Sequence, residues 1–387
     1  MIKSLEGIRG IAALVVALYH LEIGRDHFSF IRHGYLFVDL FFVLSGFVMY
    51  ASYGSSIASV ADLRSFLIRR IGRLFPLLLF STVFFVLVAN AIVLAKRAAL
   101  SAGHAEMLHT PSQIDFLMPT IAETIATLTL THGMGVFDRL ILNTPSWSIS
   151  VEFYTYVLFV LLCLAFAQRG RMVVFAVLSI VGLAVSIWAS ITVHDCLAQK
   201  GCLSLTYDFG FPRAVHAFFL GVLIVWMHRR TRRDFSMLQL PALGALVCAL
   251  ALVDVYPAVA FGFPLLFAVL ILSICNDSGP ASRLLTCRAS QVLGLRSYSI
   301  YLMHMPLLLL FANVVKRVEG VAMNVVVLLS YLMVLVVISG WTYRFIEDPF
   351  RTWFNRLARQ VSHSSGGLHI GKLPKAPAIS TDGPEQT

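Results

Sequence analysis

Arg69-Arg70-Ile71-Gly72-Arg73-Leu74-Phe75-Pro76 runs directly into the apolar stretch 77–95, which carries no charge before Lys96. A run of that length, rising 1.5 Å per residue as a helix, crosses a hydrocarbon core of about 30 Å. Arginines packed against one end mark the side of the membrane on which that end stays. Outward from this stretch, similar runs recur at 7–24, 34–53, 74–96, 146–168, 171–193, 211–228, 237–254, 257–275, 294–313 and 321–343. The chain is 58% apolar and 13% charged over 387 residues, with a mean hydropathy of +0.82, which excludes an ordinary soluble domain. The expected fold is all-α: a polytopic membrane helix bundle of about ten transmembrane helices. Residues 113–132 are expected to hold an interfacial or re-entrant helix.

Short loops on the cytoplasmic side collect Lys and Arg. Placing the N-terminus inside puts Lys3, Arg9, Arg64, Arg69, Arg70, Arg73, Arg229, Arg230 and the basic stretch 344–375 together, and leaves the outer loops with fewer cations, Arg213 among them. Both termini are therefore expected to be cytoplasmic, and the chain to be a multi-pass protein of a bacterial inner membrane. The net charge of +10 then reports topology, and no nucleic-acid partner is expected. The opening segment lacks a small-residue cleavage site and reads as a retained helix.

Residues 1–355 are expected to form the one membrane-embedded domain, and 356–387 a basic and then disordered cytoplasmic tail rich in Gly, Pro, Ser and Thr. No internal repeat is visible. Cys196 and Cys202 share a predicted outer loop where a disulfide is plausible, and the other four cysteines read as buried thiols. No metal is expected, because the histidines lack ligand spacing on any helix.

Ionisable residues are costly inside a membrane and face the bundle interior or a water-filled space. Four places stand out. Arg9 and His20 are eleven residues apart, hence on nearly the same face of the first helix and about 16 Å apart along its axis. Asp39 shares a face with Phe42 and Gly46 and suits a structural cation partner; Gly46 permits close helix approach. In Asn143-Thr144-Pro145-Ser146-Trp147-Ser148, Thr144 is a potential N-cap and Pro145 a first helical residue, so that Ser148, Glu152 and Tyr156 line one face. Trp147 reads equally well as an interface anchor. Ser297, Tyr301 and His304 form a fourth face, where the bland reading of His304 is a hydrogen bond holding helices together. The segment from Arg64 to Arg73 suits either anionic lipid headgroups or the phosphates of a cytosolic substrate.

Taken together, these blocks resemble acyltransferase family 3, the bacterial membrane-bound O-acyltransferases that modify surface polysaccharides and related glycans. The resemblance covers about residues 4–355. It rests on Arg9 and His20, on the Phe41-Phe42-Val43-Leu44-Ser45-Gly46-Phe47 block, and on the arginine-rich segment ending at Pro76. It also rests on Trp147-Ser148 followed by Glu152, on Tyr298, Tyr301 and His304, and on Phe345-Ile346-Glu347-Asp348-Pro349-Phe350. The resemblance implies a cytosolic acyl-CoA donor held by Arg9, Arg69, Arg70 and Arg73, no permanently bound cofactor, and His20 as the catalytic residue. Acetyl is the acyl group the family implies first. Some members carry an additional extracytoplasmic esterase-like domain, for which this sequence shows no segment.

The expected chemistry is transfer of the acyl group to a hydroxyl of a carbohydrate or glycolipid acceptor. His20 acts as general base, and Glu152 orients the imidazole or positions the sugar. An acyl-histidine intermediate is the rival mechanism. The alternative function is a secondary transporter, which would also bury His, Arg and carboxylates; a lipid-binding scaffold accounts only for the arginines.

Overall fold

The computed structural model describes residues 2–103, 114–231, 233–315 and 320–364, and every regular element among them is helical. The principal helices are α1 (Lys3–Leu21), α2 (Phe37–Tyr53), α3 (Val60–Ser101), α4 (Ile121–Leu128), α5 (Trp147–Ala165), α6 (Gln168–Trp188), α7 (Gly210–Thr231), α8 (Gln239–Leu252), α9 (Phe263–Ile274), α10 (Arg288–Leu295), α11 (Ser297–Val315), α12 (Val321–Thr342) and α13 (Asp348–Ser364). Among the described residues, eight helices are long and apolar enough to cross a membrane. α10 and residues 297–312 pass the same test together across a bend of 69°, which brings the number to nine if the pair counts as one broken span, and the expected span at 237–254 is the shorter apolar helix Ser236–Leu252. The chain is thus a multi-pass membrane bundle.

Local chemistry explains the long helix that carries the arginine-rich segment. Ser59 and Asp62 form a reciprocal capping box at the start of α3. From there the basic segment and the apolar run form one helix of 42 residues that passes through Pro76. A proline ring crowds the residue four positions earlier, which here is Gly72. That glycine also receives Phe354 of α13: a Cβ at position 72 would lie 2.1 Å from the Phe354 Cβ. With Ser65 Oγ donating to Ala358 O at 3.1 Å, α13 lies along the basic half of α3. The stretch after 355, expected as the start of a tail, therefore continues a helix to Ser364. Its apolar positions Phe354 and Ala358 are spaced by four, a signal thinly spread among charges. The rest of the expected tail, 365–387, lies outside the described residues.

Around the interior, α1 packs on α2, α10 and α11, while α3 packs on α5 and α11, and α7 packs on α2, α5, α6 and α9. Two contacts set the closest approaches. Gly46 of α2 lies where a Cβ would be 1.8 Å from Phe218 O, and Gly221 of α7 where a Cβ would be 2.0 Å from Val43 O. On the other side, a Cβ at Gly10 would lie 2.6 Å from Gly294 N.

The α2–α7 crossing is also joined by charge. Arg213, expected in an outer loop, is inside α7 at 2% exposure, and its Nη2 lies 2.7 Å from Asp39 Oδ2. Its Nε also donates to Asp39 Oδ1 at 3.0 Å, while Nη1 and Nη2 donate to Leu205 O and Tyr35 O at 2.9 and 3.0 Å. Its count as a loop cation fails because a guanidinium with a buried carboxylate and carbonyls around it satisfies its donors without water. Cys196 and Cys202 are disulfide-bonded just ahead of α7.

Two outcomes test this frame. Asp39→Asn, which leaves Arg213 uncompensated, should destabilise the protein by about 3–5 kcal/mol, with Asp39→Leu/Arg213→Met recovering most of the loss in detergent melting curves. Gly221→Leu should lower the melting temperature at least as strongly as an overpacked core substitution, on the order of 1–3 kcal/mol, because only backbone faces the added atoms.

Candidate active site

α11 organises the interior, because Tyr298, Tyr301 and His304, each three residues after the last, face inward and the rise between successive members is about 4.5 Å. Tyr298, Tyr301 and His304 are buried, His304 completely. They mark two polar levels.

The level nearer the arginine-rich side begins with Glu152 of α5. It accepts from Tyr156 OH at 2.5 Å and from Ser45 of α2, and Tyr156 also reaches Ser45 Oγ at 3.2 Å. Ser299 donates to Glu347 at 2.8 Å, and Tyr298 OH donates to Leu74 O at 2.5 Å. Glu347 lies in one wide helical turn, Tyr343–Glu347, between α12 and α13. Arg9 sits within electrostatic range of Arg73, Glu152, Tyr156 and Glu347. Helices α1, α3 and α5 and the Tyr343–Glu347 turn thus contribute two guanidinium groups and two carboxylates to one region. Arg9, Ser45, Arg73 and Glu152 are all half-buried.

The four arginines expected to act together divide among three settings. Arg9 and Arg73 lie inside. Arg70 faces the rings of Tyr53, Phe66 and Tyr156, with 5.6–5.8 Å from its guanidinium carbon to each centroid. Arg69 is half-buried at the mouth and interacts electrostatically with Arg70 and with Arg359 of α13.

The second level lies toward the opposite side. Ser148 Oγ and Tyr301 OH are 2.7 Å apart, and Tyr301 OH also donates to Pro145 O at 3.2 Å. His20, half-buried at the end of α1, places Nδ1 2.9 Å from Val16 O and 3.3 Å from His304 Nε2. Tyr331 of α12 donates to His304 O at 3.1 Å. Glu152 is committed to Ser45 and Tyr156, so the expected orienting of His20 by Glu152 gives way to Val16 and His304. The reason is depth: Ser148, at the level of Tyr301, is already one turn of α5 away from Glu152.

Trp147 is a buried wall of this region and not an interface anchor. Its ring packs on Phe42 at 6.3 Å, and the Arg213 guanidinium lies 5.7 Å from its centroid. Asp39 is engaged in its pair with Arg213, on the far side of which lies the Trp147 ring. Sequence reasoning passed over Asn143, whose Nδ2 donates to Ser81 Oγ at 3.1 Å and to Leu302 O at 3.0 Å, tying α3, α11 and the start of α5 together. With Asn143 so engaged, the helix opens through a tight turn, Thr144–Ser146, and Thr144 supplies no side-chain cap. The available signal was a polar residue directly before Thr144-Pro145.

Beyond the spans, the side facing His20 is pinned by polar contacts. Asp254 holds Arg32 at 2.8 Å and His33 at 3.0 Å, and burial keeps the His33 imidazole below its usual pKa despite that carboxylate. The segment expected to be interfacial contains α4, with Ile121, Ile125 and Leu128 exposed on one face. His132, held below its usual pKa by burial, places Nε2 3.0 Å from Ser146 O.

The model of the family described as Acyltransferase domain matches residues 2–344 of this chain. The candidate peptidoglycan O-acetyltransferase YrhL of Bacillus subtilis strain 168 is 27% identical over 398 residues, covering 93% of this chain and 56% of that protein. The peptidoglycan O-acetyltransferase OatA of Listeria monocytogenes serovar 1/2a is 24% identical over 378 residues, with 90% and 56% covered. The O-acetyltransferase OatA of Staphylococcus aureus strain NCTC 8325 is 25% identical over 375 residues, with 90% and 57% covered. The chain spans a little over half the length of these curated relatives. No solved structure matches it. Because the family match takes in α1 to α12 and both polar levels except Glu347, the chain belongs to the family of membrane acyltransferases defined by this Acyltransferase domain.

Proposed function

We propose that this protein transfers an acyl group, acetyl in the first instance, from acyl-CoA to a hydroxyl of a glycan, and that peptidoglycan is the first acceptor to test. The acceptor follows the names of the relatives. The single observation that carries the mechanism is the placement of Arg9 and His20 on one helix, with Arg73 beside the first and the His304 contact at the second. In this reading the arginine-rich face is cytoplasmic, both termini lie on that side, and the membrane is the bacterial inner membrane.

Arg69, Arg73 and Arg9 offer guanidinium groups to the phosphates of the donor, a geometry suited to bidentate contacts. An extended pantetheine arm is comparable in length to the Arg9–His20 distance, about 16 Å along the helix. The thioester can thus reach His20 while the nucleotide stays at the arginines. His20 takes the proton of the acceptor hydroxyl as its oxygen attacks the thioester carbonyl; the carbon–sulfur bond breaks, and the proton passes to the departing thiolate. The products are the O-acyl glycan and free CoA thiol. Tyr301, one turn of α11 from His304, and Ser148 bonded to it are hydroxyl groups able to bind the acceptor.

Purified protein in detergent, given acetyl-CoA and muropeptide or glycan acceptors, should release free thiol. His20→Ala should lower that rate by at least about 100-fold, as loss of a positioned base does. A wild-type protein that is well folded yet binds no acyl-CoA refutes the proposal. Arg73→Ala should raise KM for acyl-CoA by about tenfold or more while changing kcat less, since a charge-assisted hydrogen bond is worth roughly 1.5–3 kcal/mol.

A further inference from the structure

The two buried imidazoles define their own tautomers. A carbonyl oxygen only accepts, so a ring nitrogen bonded to one carries the proton. His304 Nδ1 lies 2.5 Å from Tyr301 O, and His20 Nδ1 lies 2.9 Å from Val16 O. Both Nδ1 atoms are therefore the protonated ones, and both Nε2 atoms carry a lone pair. The lone pair of His304 Nε2 faces His20 Nδ1 at 3.3 Å, which makes the His20 N–H a shared donor to Val16 and His304.

We propose that His304 is the positioning residue for His20, its Nε2 accepting the His20 Nδ1 proton and so presenting His20 Nε2 as the basic nitrogen. The role resembles that of a carboxylate behind a catalytic histidine, filled here by a neutral ring. A neutral acceptor suits the position. His304 is wholly buried, its backbone carbonyl is held by Tyr331, and the Tyr301 ring packs 5.7 Å from its own. The nearby charges, Glu22 and Arg25, are paired with each other at 3.1 Å in the loop after α1, and Arg25 lies over the Tyr19 ring. When His20 takes a proton on Nε2, the ring becomes a cation whose Nδ1–H is already held by two acceptors. This contact also explains how α1 and α11 align the two ends of the site: the Val16 bond alone leaves the imidazole free to tilt about its side chain, and the bond from α11 stops it.

The proposal rests on His20 as the base of acyl transfer, so its test includes a readout that needs no turnover. Full-length protein labelled with 15N-histidine is compared with His20→Ala, His304→Ala and His304→Gln, the His20 signals being identified by difference. His20 is expected to be protonated at Nδ1 and bare at Nε2 in the wild type, and in His304→Ala, where Val16 O alone holds a ring now free to tilt away from it, to lose part of that preference. In thiol-release kinetics, His304→Ala should lose about 100-fold in kcat with KM for acyl-CoA within about twofold, and His304→Gln, whose amide oxygen can accept the same proton, should regain about tenfold. A wild-type His20 protonated at Nε2, or a His304→Ala protein with wild-type kcat, overturns the proposal. If the tautomer and its dependence on His304 hold while the wild type neither binds nor cleaves acyl-CoA, the pair stands and the acyl-transfer reading falls. Should His304→Ala not fold, the wild-type tautomer and the His304→Gln kinetics decide.

Discussion

The pair Asp39–Arg213 expresses the constraint on which the bundle depends: a polar group in an apolar medium must find its partner inside the protein. Neither side chain can reach water, and removing either would strand a charge. The ion pair therefore fixes α2 against α7, and the backbone contacts of Gly46 and Gly221 bring the same two helices close enough for it to form. Packing and electrostatics are coupled at this crossing. A larger residue at either glycine would separate the charges as well as the helices.

The same rule shapes the interior. Glu152, Glu347, His304 and Asn143 sit in or against apolar helices, and each is held by groups from another helix: Ser45, Ser299, His20, and Ser81 with Leu302 O respectively. These bonds fix the relative heights of α1, α2, α3, α5 and α11. The half-buried Arg9 and Arg73 differ from the enclosed Glu347, His304 and Asn143, and the contrast separates groups that hold the bundle together from groups that a substrate could meet. Glu347 belongs to the enclosed set although it lies past the end of the family match at residue 344. Its turn joins α12 to α13, and α13 runs along the arginine-bearing half of α3. A basic helix that composition alone assigned to a tail is thus part of the surface around Arg69.

Membership of the acyltransferase family and the two-level arrangement address different questions. The family describes the class of chemistry; the geometry describes which groups meet. Arg9 and His20 are joined by one rigid helix, so their separation does not depend on loops. That rigidity is what makes a donor bridging the two ends physically reasonable. The acceptor would meet the opposite side, where Ser148, Tyr301 and His20 converge and where the loops are pinned by Asp254 and by the Cys196–Cys202 bridge.

Much of this molecule was legible in its sequence, because hydrocarbon imposes a length and a composition on each span that needs no knowledge of neighbours. The helical class, the spans and the shared face of Arg9 and His20 follow from spacing along one helix. So does the grouping of Ser148, Glu152 and Tyr156. Spacing cannot report which helices touch or at what relative height, since those depend on side-chain packing between segments far apart in the chain. Only the tertiary structure decided that Arg213 pairs with Asp39, that Glu152 faces Ser45 instead of His20, that Arg69 and Arg73 part company, and that His304, 284 residues from His20, supplies its neighbour. The physical reason is that a helix sets the faces of its own residues, while their partners are chosen by the need to satisfy buried polar groups between helices.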